Sequence, residues 1–187
     1  IVFYDGVGNL FDRVNRIVIL TKIISRTVEF KLDEKIFDEL KISLSDLSTE
    51  MVKEFPSLQG LIGGYYASLE GIKKEVCLAI SQQYFTNFSS SDENKLSFCL
   101  SLAQKMDNIF GFFLSQKKLS GAGDPFGLRR SVLSIIKISV AKELNIDFFK
   151  LFDNCARLFK EQGLYEKINF QEVKDFFNKR LSVFLSD

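Results

Sequence analysis

Apolar residues recur every three or four positions along most of the chain, which is the spacing of one face of an α-helix. The first segment shows this pattern clearly, and Asn9 can cap a helix that runs to about Arg26. Its apolar stripe consists of Leu10, Val14, Ile17, Val18, Thr21 and Ile24. Arg13, Arg16 and Lys22 fall off this stripe, so we expect their side chains on the solvated side of the helix.

Capping residues and prolines indicate where the other helices begin. The predicted starts are Asp33, Ser43 or Ser45, Pro56, Lys73, Glu93, Asp124, Asp147 and Asn169, the last with Glu172 as its capping-box partner. Asp124 is expected to be an N-cap, with Pro125 at the first helical position. The β-like stretch at residues 27–31 is too short to build a sheet. The sequence therefore predicts an all-α protein of about eight helices with no substantial sheet.

The predicted helices divide into a main helical domain, residues 1–146, and a helical extension, residues 147–187, packed on it. The loop at residues 163–167 is too short to be a domain linker. The chain starts at Ile1 rather than at a methionine, so we expect a fragment of a longer protein.

Three glycines, Gly60, Gly63 and Gly64, fall inside the helix predicted from Pro56. Each glycine in a helix interior costs about 1 kcal/mol relative to alanine, so the group requires a reason. Close approach of a neighbouring backbone is the structural interpretation. A surface for a ligand or RNA is the functional one.

Composition excludes several kinds of chemistry. The chain has no histidine, so it cannot contain a Ser-His-Asp or Cys-His arrangement or a histidine-based metal site. Cys77, Cys99 and Cys155 are widely spaced and read as reduced thiols in the core of a cytoplasmic protein. The net charge of +1 gives no global indication of nucleic-acid binding, and no apolar run is long enough for a membrane span.

Two segments carry motifs. Residues 46–67 read DLSTEMVKEFPSLQGLIGGYYA, and residues 111–130 read GFFLSQKKLSGAGDPFGLRR. Both resemble signature stretches of the β subunit of the heterotetrameric bacterial glycyl-tRNA synthetase, and residues 1–16 and 168–185 resemble neighbouring parts of that family in the same order. The resemblance therefore covers essentially the whole chain.

The resemblance implies an HD-like helical domain leading toward an anticodon-binding domain. It also implies a cytoplasmic complex of two α and two β chains, in which the α subunit handles ATP, Mg²⁺ and glycine, and the β subunit contributes to recognition of glycine tRNA. No catalytic residue, metal site or cofactor is expected in this chain. Two positions depart from the family pattern, since Tyr4 replaces a frequent histidine and Gly64 a frequent arginine. Asp46 and Asp107 remain, but two separated carboxylates do not make a hydrolytic centre.

Six residues are candidates for contact with tRNA. They are Lys117, Lys118, Arg129, Arg130, Tyr65 and Tyr66. The cations flank a glycine-rich loop and a helix start, which suits phosphate, and the tyrosines can stack on bases. The structural interpretation pairs Arg129 or Arg130 with Asp107 or Asp124, leaves the lysines in a solvated loop, and puts at least one tyrosine in the core.

Two other classes of function remain open. One is a degenerate HD-type metal phosphohydrolase, against which the absence of histidine weighs heavily. The other is a scaffold that packs on the α subunit or on other β-subunit domains without touching RNA. A contiguous cationic groove would favour tRNA binding, whereas a large exposed apolar patch would favour the scaffold.

Overall fold

The fold is all-α, as predicted. The computed structural model describes residues 7–89, 94–115, 124, 127–164 and 170–186, and among these it has nine α-helices and no strand. The helices are α1 (Leu10–Thr27), α2 (Glu34–Glu39), α3 (Glu50–Glu54), α4 (Leu61–Leu69), α5 (Lys74–Gln82), α6 (Lys95–Leu114), α7 (Leu128–Ala141), α8 (Phe148–Glu161) and α9 (Phe170–Ser186). Short 3-10 turns cover Leu40–Ile42, Ser45–Ser48 and Pro56–Leu58. Every helix in these ranges is too short or too polar to cross a bilayer.

Helix α6 is the centre of the molecule. Nearly all of its side chains are buried, because α1, α5, α7, α8 and α9 all pack against it. Phe110 illustrates this position, since its ring contacts Phe152 and Phe159 of α8 and Phe170 of α9. The predicted extension therefore shares one hydrophobic core with the rest of the protein. A domain boundary between residues 146 and 147 stays a prediction.

Several helix starts confirm the prediction from capping chemistry. Asn9 and Asp12 form a capping box at the start of α1, and Asp33 and Asp147 accept hydrogen bonds from the first turns of α2 and α8. The third helix differs, because Thr49 rather than Ser43 or Ser45 caps α3. Residues 45–48 form a 3-10 turn instead, which leaves only five residues for α3.

The fourth helix begins later than predicted. Pro56 starts a 3-10 turn, and Gly60 has a φ of +82°, a left-handed conformation that interrupts the chain before α4 starts at Leu61. A Cβ on Gly64 would lie 1.9 Å from Ser81 Oγ and 2.4 Å from the carbonyl oxygen of Cys77. Close approach of α4 to α5 therefore explains this glycine. A larger side chain such as arginine would require the two helices to separate.

Helix α7 also begins later than predicted. Its N-cap is Gly127, with a φ of +65°, and not Asp124. Asp124 nevertheless performs the expected capping chemistry from outside the helix, because its carboxylate accepts hydrogen bonds from the backbone N–H groups of Arg129 and Arg130. Tyr4, Pro125, Asn169 and the predicted start at Glu93 lie outside the described residues, and α6 is capped by Asn94.

Candidate nucleic-acid interface

A buried ion pair joins α1 to α6. Arg16 is 1% exposed, and its Nε lies 2.6 Å from Asp107 Oδ1. Its Nη1 donates to the carbonyl oxygen of Val7 and to Gln162 Oε1, and the guanidinium lies 4.0 Å from the centre of the Phe159 ring. The prediction that Arg16 is solvated was therefore wrong. The periodicity of apolar residues does not predict the burial of an arginine, which here depends on the carboxylate of Asp107, 91 positions along the chain.

Asp107 is shared by two arginines. Arg13 Nε lies 3.0 Å from Asp107 Oδ2, and Arg13 Nη2 lies 3.5 Å from Gln104 Oε1. Arg13 is therefore half-buried rather than fully solvated as predicted, and Lys22, which pairs with Glu34, is also only 31% exposed. The carboxylate of Asp107 anchors α1 to α6 and is fully engaged.

Arg130 pairs with Asp124, as one of the structural interpretations predicted. The Arg130 Nε lies 3.5 Å from Asp124 Oδ2, and its Nη2 donates to the Asp124 carbonyl oxygen. The pair is loose, and the Arg130 side chain remains 72% exposed. Arg130 thus orders the start of α7 while keeping its guanidinium accessible to solvent, which is what contact with a phosphate requires.

A cavity of about 270 Å³ opens beside Arg130 between α1, the end of α5, α6 and the start of α7. Three cationic side chains line it, namely Arg13, Lys105 and Arg130, together with neutral polar groups such as Asn108 and Ser131. The described lining residues include no aspartate or glutamate. This cavity is called the cationic cavity below, and Arg130 is the described tRNA candidate that lines it.

Lys105 is a functional candidate that sequence reasoning missed. It is buried on α6, where its Nζ lies 2.7 Å from the Phe85 carbonyl oxygen and 2.6 Å from Ser101 Oγ. Burial lowers the pKa of Lys105 to about 7. The signal in the sequence was the group of four polar residues among residues 104–108, in the middle of a mostly apolar helix.

The two tyrosine candidates lie on α4. Tyr65 is 56% exposed and Tyr66 is 36% exposed, so the prediction that one of them is core was wrong. The buried residues of this helix are instead the small Gly63, Gly64 and Ala67. Leu61 and Leu69, one turn or more on either side of the tyrosines, are also exposed. The outer face of α4 is therefore apolar and aromatic.

The four candidates within the described residues lie on two different helices. Arg129 and Arg130 start α7, which packs on α6 and α9, whereas Tyr65 and Tyr66 belong to α4, which packs on α5. Lys117 and Lys118 lie outside the described residues.

Asp46, the other retained carboxylate, has a structural partner. Its Oδ2 accepts a hydrogen bond of 2.7 Å from the backbone N–H of Gly60, and burial raises its pKa.

The three cysteines are buried free thiols, as predicted, and burial raises the pKa of Cys99 to about 12. Within the described ranges no three His, Cys, Asp or Glu residues cluster as metal ligands would.

Comparison with known proteins decides the family. A family model described as glycyl-tRNA synthetase beta subunit matches residues 1–187. The chain belongs to the glycyl-tRNA synthetase β-subunit family. Relatives named glycine–tRNA ligase beta subunit include those of Buchnera aphidicola subsp. Schizaphis graminum, 33% identical over 97% of this chain and 27% of the relative, and of Persephonella marina, 31% identical over 100% and 29%.

A third relative with that name, from Syntrophomonas wolfei, is 34% identical over 100% of this chain and 28% of its own length. The chain thus spans less than a third of the length of these glycyl-tRNA synthetase β subunits. The match to the family model includes the segments 46–67 and 111–130. Asp46, in the first of them, holds the turn before α4, and Asp107, just before the second, holds the α1–α6 contact.

Proposed function

We propose that this chain is a non-catalytic part of a glycine–tRNA ligase β subunit that contributes to tRNA binding and to subunit architecture during ATP-dependent glycyl-tRNA formation. In this proposal the complex is cytoplasmic, with two α and two β chains. Its α subunit handles ATP and Mg²⁺. The membership of the whole chain in the β-subunit family supports the assignment.

The proposal that the chain binds tRNA rests on the exposed guanidinium of Arg130, which lines the cationic cavity. Arg13 and Lys105 lie in the same cavity, so positive charge is concentrated here although the chain as a whole is nearly neutral. Phosphate contacts by such groups give affinity that depends on salt and little on sequence. Arg129, Lys117 and Lys118 extend the proposed surface along the chain.

The architectural part is supported by α4. Its outer face exposes Leu61, Tyr65 and Leu69 at four-residue spacing, so the three side chains form one apolar stripe. An apolar stripe of this kind fits a protein surface such as the α subunit or another β-subunit domain. Stacking of Tyr65 and Tyr66 on RNA bases is the competing use of the same face.

The test is a titration of the protein with glycine tRNA at several salt concentrations, beside an Arg129→Ala/Arg130→Ala variant. We expect a Kd of roughly 1–100 µM for the protein, in the range of salt-dependent phosphate binding. The variant should bind more weakly, and its slope of log affinity against log salt should fall by about 1 to 2, because each cation that contacts a phosphate contributes about 0.7–0.9.

A Lys150→Ala/Arg157→Ala variant is the matched control. It removes the same charge from exposed positions on α8, far along the chain from the cavity. Equal weakening by both variants would mean that only net charge matters, and the proposed surface would be wrong. Binding at nanomolar strength that is unaffected by the α7 variant would also contradict the proposal.

A further inference from the structure

We infer that the cationic cavity is a binding site for a single terminal phosphate group, such as the phosphate of a nucleotide. The cavity of about 270 Å³ lies just below the range of roughly 300–1,000 Å³ that encloses drug-sized ligands. It therefore suits a phosphate with part of its sugar, while the base would remain outside.

The charge of the cavity walls favours an anion. Arg13, Arg130 and the protonated form of Lys105 contribute positive groups from three different helices, and the described lining residues contribute no carboxylate. Two carboxylates pair with the arginines: Asp107 is shared by Arg13 and Arg16, and Asp124 pairs with Arg130 and accepts hydrogen bonds from the start of α7. An anion that entered would therefore meet a net positive charge, because the carboxylate of Asp107 serves two arginines and the hydrogen-bond partners of Lys105 are neutral.

Lys105 gives the most specific argument. An ammonium group has three N–H donors. Two of them have short contacts, to the Phe85 carbonyl oxygen and to Ser101 Oγ, while the remaining contact, to the Ser101 carbonyl oxygen, is 3.5 Å long. That distance is at the limit of a hydrogen bond, so one donor of a buried lysine is available to a ligand in the cavity.

The partners of Lys105 are also all neutral. Carbonyl and hydroxyl oxygens satisfy hydrogen bonds but do not compensate a buried positive charge, which is costly without an anion. Burial accordingly lowers the pKa of this lysine to about 7. A phosphate in the cavity would supply the missing negative charge and would favour the protonated form.

Neutral polar groups complete the site. The Asn108 amide and the Ser131 hydroxyl line the same cavity, and the Ser131 hydroxyl donates to the Gly127 carbonyl oxygen at 2.8 Å. The backbone N–H groups of Arg129 and Arg130 are occupied by Asp124. Binding at this site therefore relies on side chains and not on the start of α7.

The experiment is an NMR titration of the protein with inorganic phosphate, AMP and adenosine at fixed ionic strength near neutral pH. We expect phosphate and AMP to shift the signals of residues around the cavity with a Kd on the order of 1 mM or below, and adenosine to leave them unchanged. Lys105→Met should weaken phosphate and AMP binding about tenfold or more, since a charge-assisted hydrogen bond is lost.

Two further variants keep the test decisive. Ser131→Asp puts a carboxylate in the wall near the start of α7, where the helix tolerates negative charge, and should abolish binding without unfolding the protein. Lys137→Met, on the exposed side of α7, removes the same charge as Lys105→Met and should bind normally. Absence of phosphate and AMP binding up to about 10 mM, or unchanged binding in both cavity variants, would overturn the inference.

A parallel titration with glycine tRNA identifies the source of the phosphate. If Lys105→Met and Ser131→Asp weaken tRNA binding as well, the site receives a phosphate of the RNA. If they weaken AMP binding alone, the site receives a free nucleotide. Because phosphate and AMP are measured without RNA, failure of the tRNA proposal would leave this result intact, and the reverse also holds.

Discussion

Replacing Asp107 with asparagine should destabilise the protein severely. Its carboxylate lies 2.6 Å from the Nε of Arg16 and 3.0 Å from the Nε of Arg13, and the Arg16 side chain is 1% exposed. Without the carboxylate, Arg16 would keep only neutral partners, including Gln162 and the ring of Phe159. Removal of one partner from a buried ion pair costs about 3–5 kcal/mol, because the other charge stays buried and uncompensated.

The assay is urea unfolding followed by circular dichroism. A loss of about 4 kcal/mol with an m-value of about 2 kcal/mol/M lowers the midpoint by about 2 M. Such a loss is large against a total free energy of unfolding of about 5–15 kcal/mol for a typical protein. Arg16→Met/Asp107→Leu should be much less destabilising than Asp107→Asn alone, since an apolar pair of similar volume often replaces a buried ion pair at little cost.

Glu34→Gln is the matched control. Glu34 is also a carboxylate shared by two cations, Lys22 and Arg26, but the Glu34 carboxylate is 63% exposed, against 3% for Asp107. Its removal should change the urea midpoint little, because water and salt screen exposed charges. If Asp107→Asn shifted the midpoint no more than Glu34→Gln does, the attribution of stability to burial of the Arg16–Asp107 pair would be refuted.

Two more predictions concern stability. Gly64→Ala should destabilise the protein by about 1–3 kcal/mol despite the better helix propensity of alanine, because the added Cβ would overlap α5. Ser68→Ala, on the outer face of α4, is the control and should be nearly neutral. A Gly64→Ala variant that is more stable in urea unfolding would contradict the close approach of α4 to α5. Burial lowers the pKa of Lys105 to about 7, against 10.5 in the unfolded chain, so between these pH values the unfolded state binds more protons than the folded state. The free energy of unfolding should therefore rise with pH across this window by up to about 1.4 kcal/mol per pH unit, measured relative to Lys105→Met. Parallel pH dependence of the wild type and Lys105→Met, with Lys137→Met as control, would show that Lys105 is not buried as a charge-sensitive group.

The sequence predicted local features well. Asn9, Asp33 and Asp147 cap helices through hydrogen bonds to residues two or three positions along the chain, so a short stretch of sequence contains all the required information. Gly60 and Gly127 show the limit of this reasoning. Each adopts a positive φ directly before a helix, so α4 and α7 begin several residues later than Pro56 and Asp124 had indicated.

Long-range features could not be predicted in the same way. The partner of Arg16 lies 91 positions away on another helix, and nothing near Arg16 indicates it. The cationic cavity likewise combines Arg13, Lys105 and Arg130, which three helices contribute. Arg130 was a candidate from its motif, whereas Lys105 looked like an ordinary lysine, because its burial depends on packing that periodicity does not describe.

Gln162, at the end of α8, is synthesised after Val7 and Asp107, the other polar partners of Arg16. Its side chain accepts from Arg16 and donates to the carbonyl oxygen of Asp12, a contact that spans 150 positions of the chain. Because domains fold as units while the ribosome releases the chain from its N-terminal end, α1 and α6 would emerge with Arg16 still accessible to water. We expect Arg16 to stay accessible to water and to chaperones until α8 arrives, and the core to be complete only when α9 follows.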